Sequence, residues 1–92
     1  MQLLDQKEEP ELYAVTLMNQ GITHGRLAKP DDELNSYEAL IEQFKDSSNE
    51  EIQIQVAKAM INQGIAYGQQ GKLDNELRSY ATLIEQFKGS AN

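Results

Sequence analysis

The chain has no cysteine, one histidine and no apolar run longer than a few residues in its 92 positions. Without cysteine there is no disulfide framework and no thiolate nucleophile, and the usual mark of an oxidising compartment is missing, so a reducing cytoplasm is the expected location. A lone histidine cannot share a metal with a second soft ligand, so neither metal nor cofactor is expected. The apolar runs fall far short of the ~20 residues that span a bilayer, and residues 1–10 place three acids before any run that could resemble a signal peptide. Basic residues are scarce too. Eight Lys and Arg against fifteen Asp and Glu give a net charge of -7, which repels phosphate backbones and acidic lipid surfaces. Nucleic acid and membrane are therefore not expected as partners. The deficit is uneven: residues 1–49 hold ten acids and four bases, residues 50–92 five and four. That asymmetry either serves solubility as a solvated surface, the plainer reading, or favours a basic neighbour at the first half.

Ninety-two residues amount to one domain, and a chain of this length buries only roughly 60–65% of the surface it exposes when unfolded. Its core is expected to be thin.

What the chain has in abundance is itself. Asn-Gln-Gly-Ile occurs at 19–22 and again at 62–65, and a shift of 43 residues lays Gly21 on Gly64, Gly25 on Gly68, Tyr37 on Tyr80 and Phe44 on Phe87. Of the 39 residues from Glu11 to Asn49, 20 are identical to their partners. A fixed period of this size marks a repeat architecture, in which each supersecondary unit cannot cover its own apolar face. The units are placed at about 10–46 and about 48–89.

Inside each unit the apolar spacing is helical. Leu77, Tyr80, Ile84 and Phe87 recur at steps of three and four, predicting a helix from about Asp74 to Lys88, and the stripe repeats as Leu34, Tyr37, Ile41 and Phe44. Asp31, Asp32 and Glu33, and Asp74 and Glu76, stand where a helix's first turn favours negative charge, and Pro30 suits a helix start. The helix before it in the second unit is predicted from Ser48, which with Glu51 fits a capping box, to about Gly68. It carries two stripes: Ile52, Val56, Ala59, Met60 and Tyr67 on one side, Ile54, Ile61 and Ile65 on the other. One side is expected to be covered and the other to line something. Gly21 and Gly64 fall inside these helices at ~1 kcal/mol each relative to alanine, which points to close approach of a neighbouring helix. Gly71 supplies the turn in the second unit, a role taken in the first by residues 27–30.

The run Asn62-Gln-Gly-Ile-Ala-Tyr-Gly-Gln-Gln-Gly-Lys-Leu-Asp-Asn-Glu-Leu-Arg-Ser-Tyr80 resembles a tetratricopeptide repeat in its glycine (Gly64), the aromatic three residues on (Tyr67), the turn glycine (Gly71) and the aromatic of the second helix (Tyr80). The first unit matches through Gly21 and Tyr37, with His24 in place of the aromatic. The resemblance implies an all-α chain, an α-solenoid of two tandem helix-turn-helix repeats with about four antiparallel helices. Gly21, Tyr37, Phe44, Gly64, Tyr67, Tyr80 and Phe87 become its repeat-packing residues. The sequence departs from the family pattern where Glu33 and Glu76 replace a small residue, where Gln20 and Gln63 precede the glycines, in lacking the closing proline, and in a period of 43 rather than 34. A carboxylate at positions 33 and 76 must reach solvent or find a partner; exposure is the simpler expectation, and Asn19, Asn62, Lys29 or Lys72 are the alternatives as donors.

The resemblance further implies a concave groove lined by the first helix of each pair. Its positions are Met18, Ile22, Gly25 and Arg26 in the first unit, and Lys58, Ile61, Ile65, Gly68 and Gln69 in the second. Such an apolar groove suits a protein or peptide segment, whereas the family's cationic clamp for a terminal carboxylate finds Met18, Ile22, Ile61 and Ile65 in its places and is not carried over. The same isoleucines could instead be core. Catalysis is not expected: His24 has no orienting partner and reads as a packing or turn-lining residue, and the adjacent acids Asp31-Asp32 and Glu50-Glu51 point about 100° apart with no calcium-loop spacing after them.

After Phe44 the first unit runs into another helix pair, but no capping helix follows Phe87. The open edge implies either a piece of a longer array or a homo-oligomer, most simply a two-fold dimer. Hiding about 400 Å² of apolar surface is worth on the order of 10 kcal/mol before association costs. At the other end, Leu3-Leu4-Asp5-Gln6 faintly echoes Leu40-Ile41-Glu42-Gln43, so residues 1–9 are either frayed or the tail of an earlier helix. The expectation is a non-catalytic protein-binding module that self-associates; the alternative is a structural fragment of a longer array with no binding of its own.

Overall fold

The computed structural model describes residues 9–89, and the sequence expectations for residues 1–8 and 90–92 lie outside it. Those 81 residues form four helices and no strand: α1 (Pro10–Arg26), α2 (Pro30–Phe44), α3 (Glu50–Gln69) and α4 (Leu73–Phe87). Pro10 and Pro30 open α1 and α2 at positions where a missing N–H costs nothing. Acids fill the first turns of α2, α3 and α4, against the positive end of each helix dipole. The start of α3 differs from the capping box expected at Ser48. Asn49 is the cap, in extended backbone, and its side-chain oxygen accepts from the Ile52 N–H at 3.1 Å, so the helix begins two residues later.

Both hairpins turn in three residues through the same motif. The N–H of Lys29 donates to the His24 carbonyl and that of Ala28 to Gly25; in the second unit Lys72 donates to Tyr67 and Gly71 to Gly68. This pair of bonds requires a left-handed residue after the helix. Gly71 provides it at φ 77°, but its counterpart in the first unit is Ala28, at φ 57°. An alanine here carries a strain of roughly 1 kcal/mol that glycine escapes.

α1 packs on α2, α3 on α4, and α3 also on α1 and α2; among the described helices α4 touches α3 alone. The stack measures 41 × 36 × 17 Å, and its thin dimension is less than two helix diameters, so no helix is surrounded on all sides. The core joins Ala14 and Met18 of α1, Tyr37, Leu40, Ile41 and Phe44 of α2, and Ile52, Val56, Ala59 and Met60 of α3. α4 contributes only at its margin, through half-buried Leu83 and Phe87. Gly21 and Gly64 do permit close approach: a Cβ at Gly21 would overlap the Tyr37 ring, and one at Gly64 the Tyr80 ring. The link between hairpins is held by Gln53, whose side-chain amide lies within donor reach of the carbonyls of Phe44 (3.1 Å), Lys45 (3.2 Å) and Ser47 (2.7 Å), and by Gln86 of α4, which donates to Lys45 at 2.8 Å. These ties satisfy carbonyls that the end of α2 leaves without helical partners.

Candidate functional site

The α1–α3 contact leaves a trough along one face. Its first stretch, about 340 Å³, is bordered by Val15, Met18, Asn19 and Ile22 of α1 and by Gln55, Lys58, Ile61 and Asn62 of α3. Its second, about 280 Å³, continues past Ile22, Gly25 and Arg26 to Ile65 and Gln69, with Glu33 and Tyr37 of α2 at the back. Ile22 and Asn62 belong to both, which makes the trough continuous.

Eight of the nine groove positions named from the sequence border this trough. Ile22, Ile61 and Ile65 are 37%, 41% and 45% exposed, so they are not core: the second stripe of α3 is open, while Ile52, Val56, Ala59 and Met60 of the first are buried. Met18 borders the trough from its floor: it is 5% exposed and part of the core, with the Asn62 amide 3.5 Å from its sulfur. Gly68 is the exception and does not border the trough; it faces the Glu76 carboxylate on α4, as Gly25 faces Glu33 on α2.

Repetition accounts for this layout. Asn19-Gln-Gly-Ile and Asn62-Gln-Gly-Ile sit at equivalent points of α1 and α3, so each helix turns its glycine to its own partner and its isoleucine to the trough. The polar rim is made of amides, which can donate to and accept from a peptide backbone, together with two cations, Arg26 and Lys58. Against a net charge of -7, a stretch that holds two cations and one carboxylate is locally less acidic than the rest of the surface.

That carboxylate already has a partner. Tyr37 Oη donates to Glu33 Oε2 at 3.0 Å and Tyr80 Oη to Glu76 Oε2 at 2.8 Å. The sequence expectation of an exposed glutamate, or of one paired with Asn19, Asn62, Lys29 or Lys72, is thus replaced by a pairing four residues along the same helix. Burial, and then the acceptor carboxylate, push the Tyr37 phenol well above its usual range; at Tyr80 the hydrogen bond to Glu76 does most of the same. Glu-x-x-x-Tyr occurs in both units, and that spacing was the available signal.

His24 stands apart, half-buried on the outer edge of α1 beside Thr16, Gln20, Thr23 and Leu27, its Nδ1 buried without a partner. Among the described residues no three His, Cys, Asp or Glu side chains cluster as metal ligands would, and no helix is long and apolar enough to cross a membrane. The acids Asp31-Asp32 and Glu50-Glu51 are exposed at the starts of α2 and α3. Of the repeat-packing residues, Tyr37 and Phe44 are buried, while Tyr67, Tyr80 and Phe87 are half-buried, Tyr67 bordering a cavity with Ile41 of α2. No family model, curated protein or solved structure matches this chain.

Proposed function

We propose that the chain is a non-catalytic protein-binding module, a two-unit tetratricopeptide-like α-solenoid segment whose α1–α3 trough takes a segment of another protein. The observation that carries this reading is the row Ile22, Ile61 and Ile65: three large apolar side chains, more than a third exposed, aligned on two adjacent helices and rimmed by amides. Scattered exposed apolar residues need no explanation, but a contiguous row in a concave surface supports docking of an apolar or amphipathic segment. The second reading, a structural fragment of a longer array, draws support from the outer face of α4, where Leu73, Leu77 and Ile84 are open to solvent. Selection of a displayed random-peptide library on the immobilised protein separates the two. Enriched peptides that bind the native chain but not the Ile22→Lys or Ile65→Lys variant, with helicity unchanged by circular dichroism, support the binding module. Absence of enrichment, or peptides that ignore both substitutions, overturns it.

A further inference from the structure

α2 and α4 are close to the same helix in different surroundings. Ile41 is 9% exposed and its counterpart Ile84 is 66%; Leu34 is half-buried and Leu77 is 66% exposed. α2 is covered on this side by α3, whereas among the described helices none packs on the corresponding side of α4.

The positions at which the two helices differ are informative. Pro30, Asp32, Asn35, Glu38 and Ala39 of α2 become Leu73, Asn75, Arg78, Ala81 and Thr82 of α4. Asn75, Arg78 and Thr82 border a cavity shared with Glu38, Ile41 and Glu42 of α2, whereas Leu73 and Ala81 fall on the outer face and enlarge its apolar stripe. Ala81 lies between Leu77 and Ile84 on one stripe with Leu73, and being small it lets another helix backbone come close.

The opposite edge of the stack is built differently. Where α3 offers α2 the buried Ala59 and Ala66 and the ring of Tyr67, α1 has Thr16, Thr23 and His24. Docking the α4 face of one copy onto the α1 edge of the next would bury polar groups without partners, and repetition of that contact would build an open filament. A self-complementary contact avoids both consequences. We propose that a second copy of this chain covers the outer face of α4, the two α4 helices crossing antiparallel about a two-fold axis at Ala81. Leu77 then packs against Ile84 of the partner subunit. Asp74 at the start of the helix comes opposite Lys88 of the partner subunit, and the two helix dipoles oppose each other. The exposed charge pair fixes direction more than affinity.

This arrangement rests on the two-unit reading of the stack and not on the trough binding a peptide; a dimer that fails to select peptides would sink only the latter. At 15 residues α4 is roughly 22 Å long, which sets the contact at the small end of specific interfaces.

Because the native chain has no cysteine, single thiols report the geometry cleanly. Only a residue on the two-fold axis meets itself, so Ala81→Cys is expected to oxidise to a covalent dimer, whereas Thr16→Cys on the α1 edge stays monomeric. Sedimentation velocity from about 5 to about 500 micromolar is expected to show the native mass rising from 10.4 kDa to twice that and no further. Ala81→Glu restores the side chain that α2 carries at the same position, so the fold tolerates it, and it is expected to weaken association at least tenfold. A native chain that stays monomeric throughout, a mass that grows beyond two, or a dimer indifferent to Ala81→Glu overturns the proposal.

Discussion

Gly21 of α1 faces the Tyr37 ring and Gly64 of α3 faces the Tyr80 ring, equivalent pairs whose surroundings differ. Alanine at either would gain about 1 kcal/mol in helix propensity. At Gly21 the Cβ would enter the Tyr37 ring, which is 2% exposed and part of the core, so the ring has little room to retreat. Overpacking of this kind costs typically 1–3 kcal/mol, which outweighs the gain. Tyr80 has open space on its outer side. Gly21→Ala is therefore expected to destabilise by about 1–2 kcal/mol more than Gly64→Ala, measured by urea denaturation. The Tyr37–Glu33 pair makes a second expectation at this scale. A phenol whose folded-state pKa is raised keeps its proton while the unfolded chain loses it, so its stabilising contribution is complete below about pH 10 and declines as pH rises beyond that. Unfolding free energies followed from pH 8 to 11.5 should fall at the alkaline end, and Tyr37→Phe should flatten the fall, at the expense of an unpaired Glu33 at every pH. An equal decline in both proteins would show that Tyr37 is not its source.

Between elements, near-identical sequence has produced unequal burial. α2 buries Tyr37, Leu40, Ile41 and Phe44, and α4 buries only Ser79. Local opening costs what an element's contacts supply, so amide exchange in α4 is expected to be faster than at the equivalent α2 positions by about tenfold or more, under conditions where the whole molecule does not unfold. Matched protection in the two helices would mean that something already covers α4, and a fall in α4 exchange with rising protein concentration would identify that cover as another copy. All four helices were legible in the sequence, and the ends predicted for α3 and α4 lie within about two residues of those observed, because period, first-turn acids and the 43-residue echo agree. The cap at Asn49 was not, since Ser48 and Asn49 are both good caps and only the path of the link chooses between them. Gln53 and Gln86 were invisible for a related reason: each ties down carbonyls on another element, and a glutamine gives no periodic signal of a long-range partner. In the trough, the second stripe of α3 marked Ile61 and Ile65 but left open whether they and Ile22 were groove or core, and of the nine positions Gly68 does not border it. A position counted from the glycine fixes a helix face only to within the ~100° per residue that separates core from rim.

At the scale of the whole molecule, if the two hairpins are solenoid units, stability is approximately a sum of unit terms and contacts between neighbours, and among the described helices α4 has one fewer such contact than α2. Ile41 and Leu34 show what that contact covers, and Ile84 and Leu77 show the same side chains without it. If the arrangement is a true solenoid segment, the chain already contains the part that would complete the second unit: the link and helix of residues 46–69, which cover the first. Appending a duplicate of that stretch after Lys88 is expected to bury Ile84 and Leu77 as Ile41 and Leu34 are buried now. It should raise Tm by several degrees for a gain of about 1–2 kcal/mol, and slow α4 amide exchange to the level of α2. It should also abolish association through Ala81, since added helix and second copy compete for one face. If the appended helix stays unfolded by circular dichroism while α4 continues to exchange quickly, the two hairpins are related by sequence alone, and the face of α4 is not a site for a further unit.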